Sequence, residues 1–226
     1  MTEVTLFWGL SAVLVVLSTV RSFMARPFGF YLFLIWNMLL AAVPVLRMPL
    51  FKTLPVHITG LALIKLVLLF VVWLLFLPNT FYILTDLMHL NQGVVVNMRD
   101  HQHTPGVTYV RGDPWFIFDS FLLFLATFYG AIAGGYALRE FYRFIDVRYA
   151  NLSLPVTLGV LVVCAFGVYM GRYGRWNSWD AILKPHKVLK DFVKTLTRQN
   201  ERRGFLIVFV TCIIFELLSW VLVVVR

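Results

Sequence analysis

Six apolar runs set the plan of the chain. They lie at 5–20, 27–46, 58–77, 116–138, 152–170 and 205–225, separated by intervals in which charged and turn-forming residues collect. Each approaches the ~20 apolar residues that an α-helix needs to cross a bilayer, where no water satisfies an open backbone group. The expected fold class is therefore all-α: a polytopic transmembrane helix bundle of about six spans, forming a single integral membrane domain over 1–226. No basic residue precedes the first run, and Arg21 and Arg26 follow it in place of a small-residue cleavage site. It reads as a retained first helix and not as a signal peptide.

Two connections have a periodicity of their own. After Pro78, the polar residues Asn79, Tyr82, Asp86 and His89 recur at steps of three and four among Phe81, Ile83, Leu84, Leu87 and Met88. That spacing predicts a short helix with one polar stripe. Pro78 either kinks the third helix or ends it, with Asn79 as the N-cap of a separate piece. In 171–204, Leu183, Val188, Leu189, Phe192, Val193 and Leu196 fall at helical spacing, opposite Lys184, Lys187, Lys190, Lys194 and Arg198. This is the pattern of a basic amphipathic helix lying on the membrane, its cations against anionic headgroups. No repeat relates the two halves, so the sequence gives no support to an inverted-repeat transporter.

Composition sharpens this picture. With 60% hydrophobic and only 14% charged residues and a mean hydropathy of +0.82, the chain is too apolar for a soluble domain. Its net charge of +9 lies between the apolar runs, which argues against a nucleic-acid partner and for the lipid bilayer, anionic lipids included. No protein partner is indicated. Cys164 and Cys212 both sit inside apolar runs and read as small buried hydrophobes, neither a disulfide framework nor a zinc site.

Charge also orients the chain. The intervals after the first, third and fifth runs hold thirteen Lys and Arg, nine of them in 171–204, against six on the other side: Arg47, Lys52, Arg139, Arg143, Arg148 and Arg226. The positive-inside rule places the thirteen-charge side in the cytoplasm and both termini outside.

The candidate chemistry gathers on that side. A charge within a span is expensive and marks a partner or a cavity. Lys65 and Glu216 lie roughly 10 and 14 Å from the extracytoplasmic ends of their runs at 1.5 Å per residue, close enough in depth to form an intramembrane ion pair. Asp119, four residues into the fourth run, is shallow enough to need no buried partner. The densest polar stretch, 171–180, offers Arg172 and Arg175 to grip a phosphate or carboxylate, with Asn177 and Asp180 beside them. Asn37, Asn79, Tyr82, Asp86 and Asp119 reach the same face, and the carboxylates of Asp86, Asp119 and Asp180 are expected to orient the arginines there. These nine residues form a candidate ligand site for an anionic group such as a lipid headgroup.

An enzyme acting on a lipid-linked phosphate or ester is the alternative, with Asp86 or His89 as general base. It has no nucleophile elbow, zinc-protease spacing or phosphate loop behind it. A third reading, an accessory or scaffold subunit, draws on the small-residue surface of Gly130, Gly134 and Gly135 with Ala126, Ala131 and Ala133, although packing within the bundle is the favoured use of that surface. No cofactor is indicated. Asp100-His101-Gln102-His103 is a weak metal pattern that reads as a solvated loop.

Trp36-Asn37, the run 77–87 (LPNTFYILTDL), Trp115 with Asp119, and the run 171–180 (GRYGRWNSWD) together resemble the signature of the bacterial polytopic membrane proteins grouped as domain-of-unknown-function family 1361. Order and spacing agree over about 30–209. The chain departs from the family in its long 91–114 loop and in the four-residue spacing of Trp115 and Asp119. The resemblance implies a bacterial plasma membrane and a shared motif set, and it brings no established activity.

Overall fold

A computed structural model describes residues 3–24, 31–55, 60–89, 91–92, 108–109, 114–176 and 180–224. The helices are α1 (Glu3–Met24), α2 (Leu32–Lys52), α3 (Leu61–Phe76), α4 (Pro78–Tyr82), α5 (Pro114–Arg172), α6 (Asp180–Leu183), α7 (Pro185–Thr197) and α8 (Gln199–Val224), with a 3-10 segment over Ile83–His89. Two dipeptides, β1 (Asn91–Gln92) and β2 (Thr108–Tyr109), pair in parallel. Apart from this pair, the elements among the described residues are all helical. Among the described residues five helical stretches are long and apolar enough to span a membrane.

The expected fourth and fifth spans are the two arms of one 59-residue helix, α5, which leaves helical geometry at Tyr149 (φ −148°, ψ 69°). A straight helix of that length would reach about 89 Å, three times the ~30 Å hydrocarbon core. It folds back instead. A Cβ placed on Gly130 would run into the Thr80 carbonyl and one on Gly167 into the Pro78 ring, so sites 37 residues apart in α5 meet residues two apart in α4. Side chains close the bend. Ser153 Oγ lies 2.9 Å from Asp146 Oδ1, and the Arg148 guanidinium donates to the carbonyls of Phe144, Leu54 and Pro55 at 2.9–3.2 Å. Polar residues at 139–151 suggest a loop, yet they are paired well enough here to keep the helix running to the bend.

The choice left open at Pro78 is resolved as a continuous helical path with a seam. Leu77 keeps helical angles and its N–H still reaches the Trp73 carbonyl at 2.9 Å. Past the seam the chain tightens: Thr80 N–H donates to Leu77 O at 3.0 Å, three residues back. That shift leaves the Phe76 carbonyl to another donor, and Asn79 Nδ2 takes it at 3.1 Å. Asn79 is therefore a seam residue and not an N-cap.

Two of the three apolar clusters among the described residues flank this path. One joins α1, α2 and the first arm of α5, with the Phe7 and Tyr129 rings stacked at 4.8 Å and Tyr129 Oη donating to Met38 O at 3.1 Å. The other joins the end of α2, α3, α4, both arms of α5 and α8 around Trp73 and Phe141, stacked at 4.6 Å. Gly130, Gly134, Gly135, Ala126 and Ala133 are buried inside the molecule, with α4 lying against Gly130 and Gly134.

A candidate polar site at one membrane face

The polar stripe after Pro78 follows a helical then 3-10 path, which carries Tyr82 and Asp86 to the level where α2 begins and α5 ends. There three elements converge on one carboxylate. Asn37 Nδ2, in the second turn of α2, donates to Asp86 Oδ2 at 2.8 Å, and Arg172, the last residue of α5, approaches Asp86 Oδ1 through Nη1 at 3.3 Å. The same Nη1 lies 3.4 Å from the Tyr82 hydroxyl, and the guanidinium carbon stands 5.6 Å from the Tyr82 ring. Gly171 lies beside that ring, where a Cβ would stand 3.5 Å from it, in ordinary contact.

Asp86 is 1% exposed and Arg172 15% as side chains. A buried charge of this kind is tolerable only when paired and hydrogen-bonded, and both of Asp86's oxygens are engaged. The helix then ends in a tight turn in which Trp176 N–H returns to Met170 O at 3.2 Å. Arg175 takes a left-handed conformation within it (φ 55°), unusual for a residue with a Cβ. Its side chain is exposed, and it makes no ion pair among the described residues.

Thus Asn37, Tyr82, Asp86 and Arg172 come together, with Arg175 on the outer side and Asn79 one turn back at the seam. Asp119 does not join them. It forms a buried bidentate pair with Arg21 (2.6 and 2.8 Å), the two side chains 0% and 5% exposed, and Arg21 also faces the rings of Trp115 at 4.4 Å and Tyr31 at 5.3 Å. The expectation that Asp119 needs no buried partner is thereby corrected. Its partner was hidden because α1 continues through Arg21, a residue that reads from sequence as a topological flank. Asp180 pairs along the chain with Lys184 at 3.3 Å. Asn177 and the His101/His103 pattern lie outside the described residues, as does the side chain of His89.

Lys65 and Glu216 do not form the expected ion pair. Lys65 Nζ donates to Thr53 Oγ1 at 3.3 Å, near the end of α2. Glu216 is fully buried beside Cys164 and Cys212 and away from Lys65. Matching depth was legible, but helix adjacency was not: α3 packs mostly on α2, and α8 on α5.

A further charge cluster stands at the opposite end of the bundle. Glu140 is 6% exposed as a side chain and gathers Lys52 at 2.6 Å, Arg143 at 3.2 Å and Arg139 at 3.4 Å. Its local signal, a glutamate between arginines one and three residues away, was present; the bond to Lys52 on α2 was not. Among the described residues no three of His, Cys, Asp and Glu come together to hold a metal.

Helices that cross a membrane and gather a motif-built polar cluster at one face define a multi-pass membrane protein. The family described as "Protein of unknown function (DUF1361)" matches residues 36–216, about four fifths of the chain, and the chain belongs to it. No curated protein and no solved structure matches.

Proposed function

We propose that this protein is a plasma-membrane binding protein that crosses the bilayer six times and holds an anionic lipid headgroup at its cytoplasmic face. One observation carries the reading. Arg172 is held by Asp86, which Asn37 of α2 fixes in turn, while Arg175, three residues on, is exposed and free of any ion pair among the described residues. The first arginine, its charge balanced by Asp86, fixes the end of α5; the second carries the uncompensated charge that meets a phosphate.

The neighbouring α7 supports this. Its Phe192 ring packs on Phe166 and Phe205 at 4.7 and 5.6 Å, while Leu189 and Val193 remain exposed beside Lys187, Lys190 and Lys194. A helix so divided rests at the interface, where each cation near an anionic surface contributes about 1 kcal/mol. With the two arms of α5 counted separately the crossings number six, both termini lie outside, and the basic face lies inside.

The test is calorimetric titration of short-chain phosphatidylglycerol into the protein in neutral detergent, with phosphatidylcholine as comparator. The doubly substituted Arg172→Ala, Arg175→Ala protein, with its helical circular dichroism retained, is expected to lose at least tenfold in affinity for the anionic lipid, about 1.4 kcal/mol. Equal affinity in that variant, or equal affinity of the wild type for both lipids, contradicts the proposal.

A further inference from the structure

A second polar–apolar junction lies at the other end of the molecule, between α2 and α3. There an open, apolar groove of about 440 Å³ runs along α3, walled by Ile64, Leu68, Leu69 and Val72 and bordered by Arg47 of α2 and Lys65 of α3. The Lys65–Thr53 bond ties the start of α3 to the end of α2, so the two helices run antiparallel and bring both cations to one level. Counting residues from the helix ends places Lys65 about 6 Å and Arg47 about 7.5 Å inside them at 1.5 Å per residue. Both side chains are exposed, and neither meets a carboxylate among the described residues.

The groove itself is apolar and faces outward. Leu61, Ile64 and Leu68 are 82%, 58% and 63% exposed, a surface that in a spanning helix faces lipid. From Lys65 to Val72 the wall beneath the cations runs about 10 Å, two thirds of the ~15 Å acyl depth of one leaflet in a ~30 Å core. Charges at this depth are costly unless an anion or the interface receives them. An occupant must therefore be an amphiphile with a negative head at the cations and an acyl chain along the leucines. A soluble anion meets only the cations, and an uncharged lipid only the wall.

We infer that this groove is a specific site for an anionic phospholipid in the leaflet opposite Arg172, its phosphate held by Arg47 and Lys65 and one acyl chain lying on α3. The site shares no residue with the Arg172 cluster and does not depend on it. Its charge distinguishes it from lipid-facing surfaces such as Val162 on α5, which is exposed and has only apolar neighbours one turn away.

The experiment uses the full-length protein in nanodiscs doped with phosphatidylglycerol carrying a diazirine in its acyl chain, or with the matching phosphatidylcholine probe, and maps the adducts by peptide mass spectrometry. Adducts from the anionic probe are expected to concentrate on 61–72, at least fivefold above those from the neutral probe. They fall to the neutral level in the Arg47→Gln, Lys65→Gln protein and persist in the Arg172→Ala, Arg175→Ala protein. Equal labelling by the two probes, or adducts spread evenly over α3, α5 and α8, means ordinary annular lipid and overturns the inference. The comparison of probes needs no variant, so a folding defect in the Gln protein leaves the outcome decisive. With the adducts mapped by position, and the calorimetry above repeated in the Arg47→Gln, Lys65→Gln protein so that this groove does not contribute, failure here and failure of the headgroup site are distinct results.

Discussion

Arg21 and Asp119 illustrate how much a single residue at a helix end can change. Both of Asp119's oxygens accept from the guanidinium, and both side chains are buried. Removing one member leaves the other charged and unpaired, which costs about 3–5 kcal/mol, whereas exchanging both for apolar residues costs much less. Asp119→Ala is therefore expected to lower the thermal unfolding midpoint in detergent markedly, and Arg21→Met combined with Asp119→Leu to recover most of it. A single variant that melts like the wild type would refute the pairing. Sequence showed the aspartate and its depth. It hid the partner, because a helix boundary is uncertain by one or two residues and Arg21 falls just past the expected end. Asp86 and Arg172 were legible as site residues for a different reason: each sits in a polar motif dense enough to stand out within apolar surroundings.

At the scale of the element, the short α4 is the piece on which the bundle turns. It lies between the arms of α5 because Gly130, Gly134 and Gly167 allow its backbone and rings to approach. At Gly130 the obstacle to a side chain is the Thr80 carbonyl, which is backbone and cannot rotate away. Gly130→Ala is expected to destabilise by about 1–3 kcal/mol through overpacking. Gly159→Ala, with open space around it, should be neutral or gain up to about 1 kcal/mol of helix propensity. Unfolding midpoints of the two variants against wild type decide this, and equal effects would contradict the packing of α4 on α5. The small-residue surface was plain in the sequence. Packing within the bundle was its favoured use, but that α4 is the occupant was not legible, since periodicity identifies a face and leaves its occupant open. The α5 bend was illegible for a related reason: apolar runs mark where helices cross, while the bonds of Arg148 and Asp146 that carry the helix through to Tyr149 join residues with no local pattern.

In the whole molecule the two membrane faces carry different chemistry. One holds the Asn37–Asp86–Arg172 junction, the Arg21–Asp119 pair and the basic α7; the other holds Glu140 with its three cations and the groove under Arg47 and Lys65. The central claim is that the first of these faces is cytoplasmic, so that its exposed arginine meets inner-leaflet anions. Sidedness tests it most directly. Single cysteines at Gln92, Gln199 and Val147, in a Cys164→Ser, Cys212→Ser background, would be exposed to an impermeant thiol reagent in spheroplasts and in inside-out vesicles. Val147 is 70% exposed near the Tyr149 bend and reports the opposite face. In spheroplasts the account predicts labelling at Val147 and protection at Gln92 and Gln199, with the pattern reversed in inside-out vesicles. Labelling of Gln92 and Gln199 in spheroplasts, with Val147 protected, would contradict it and move the arginine site to the outer surface.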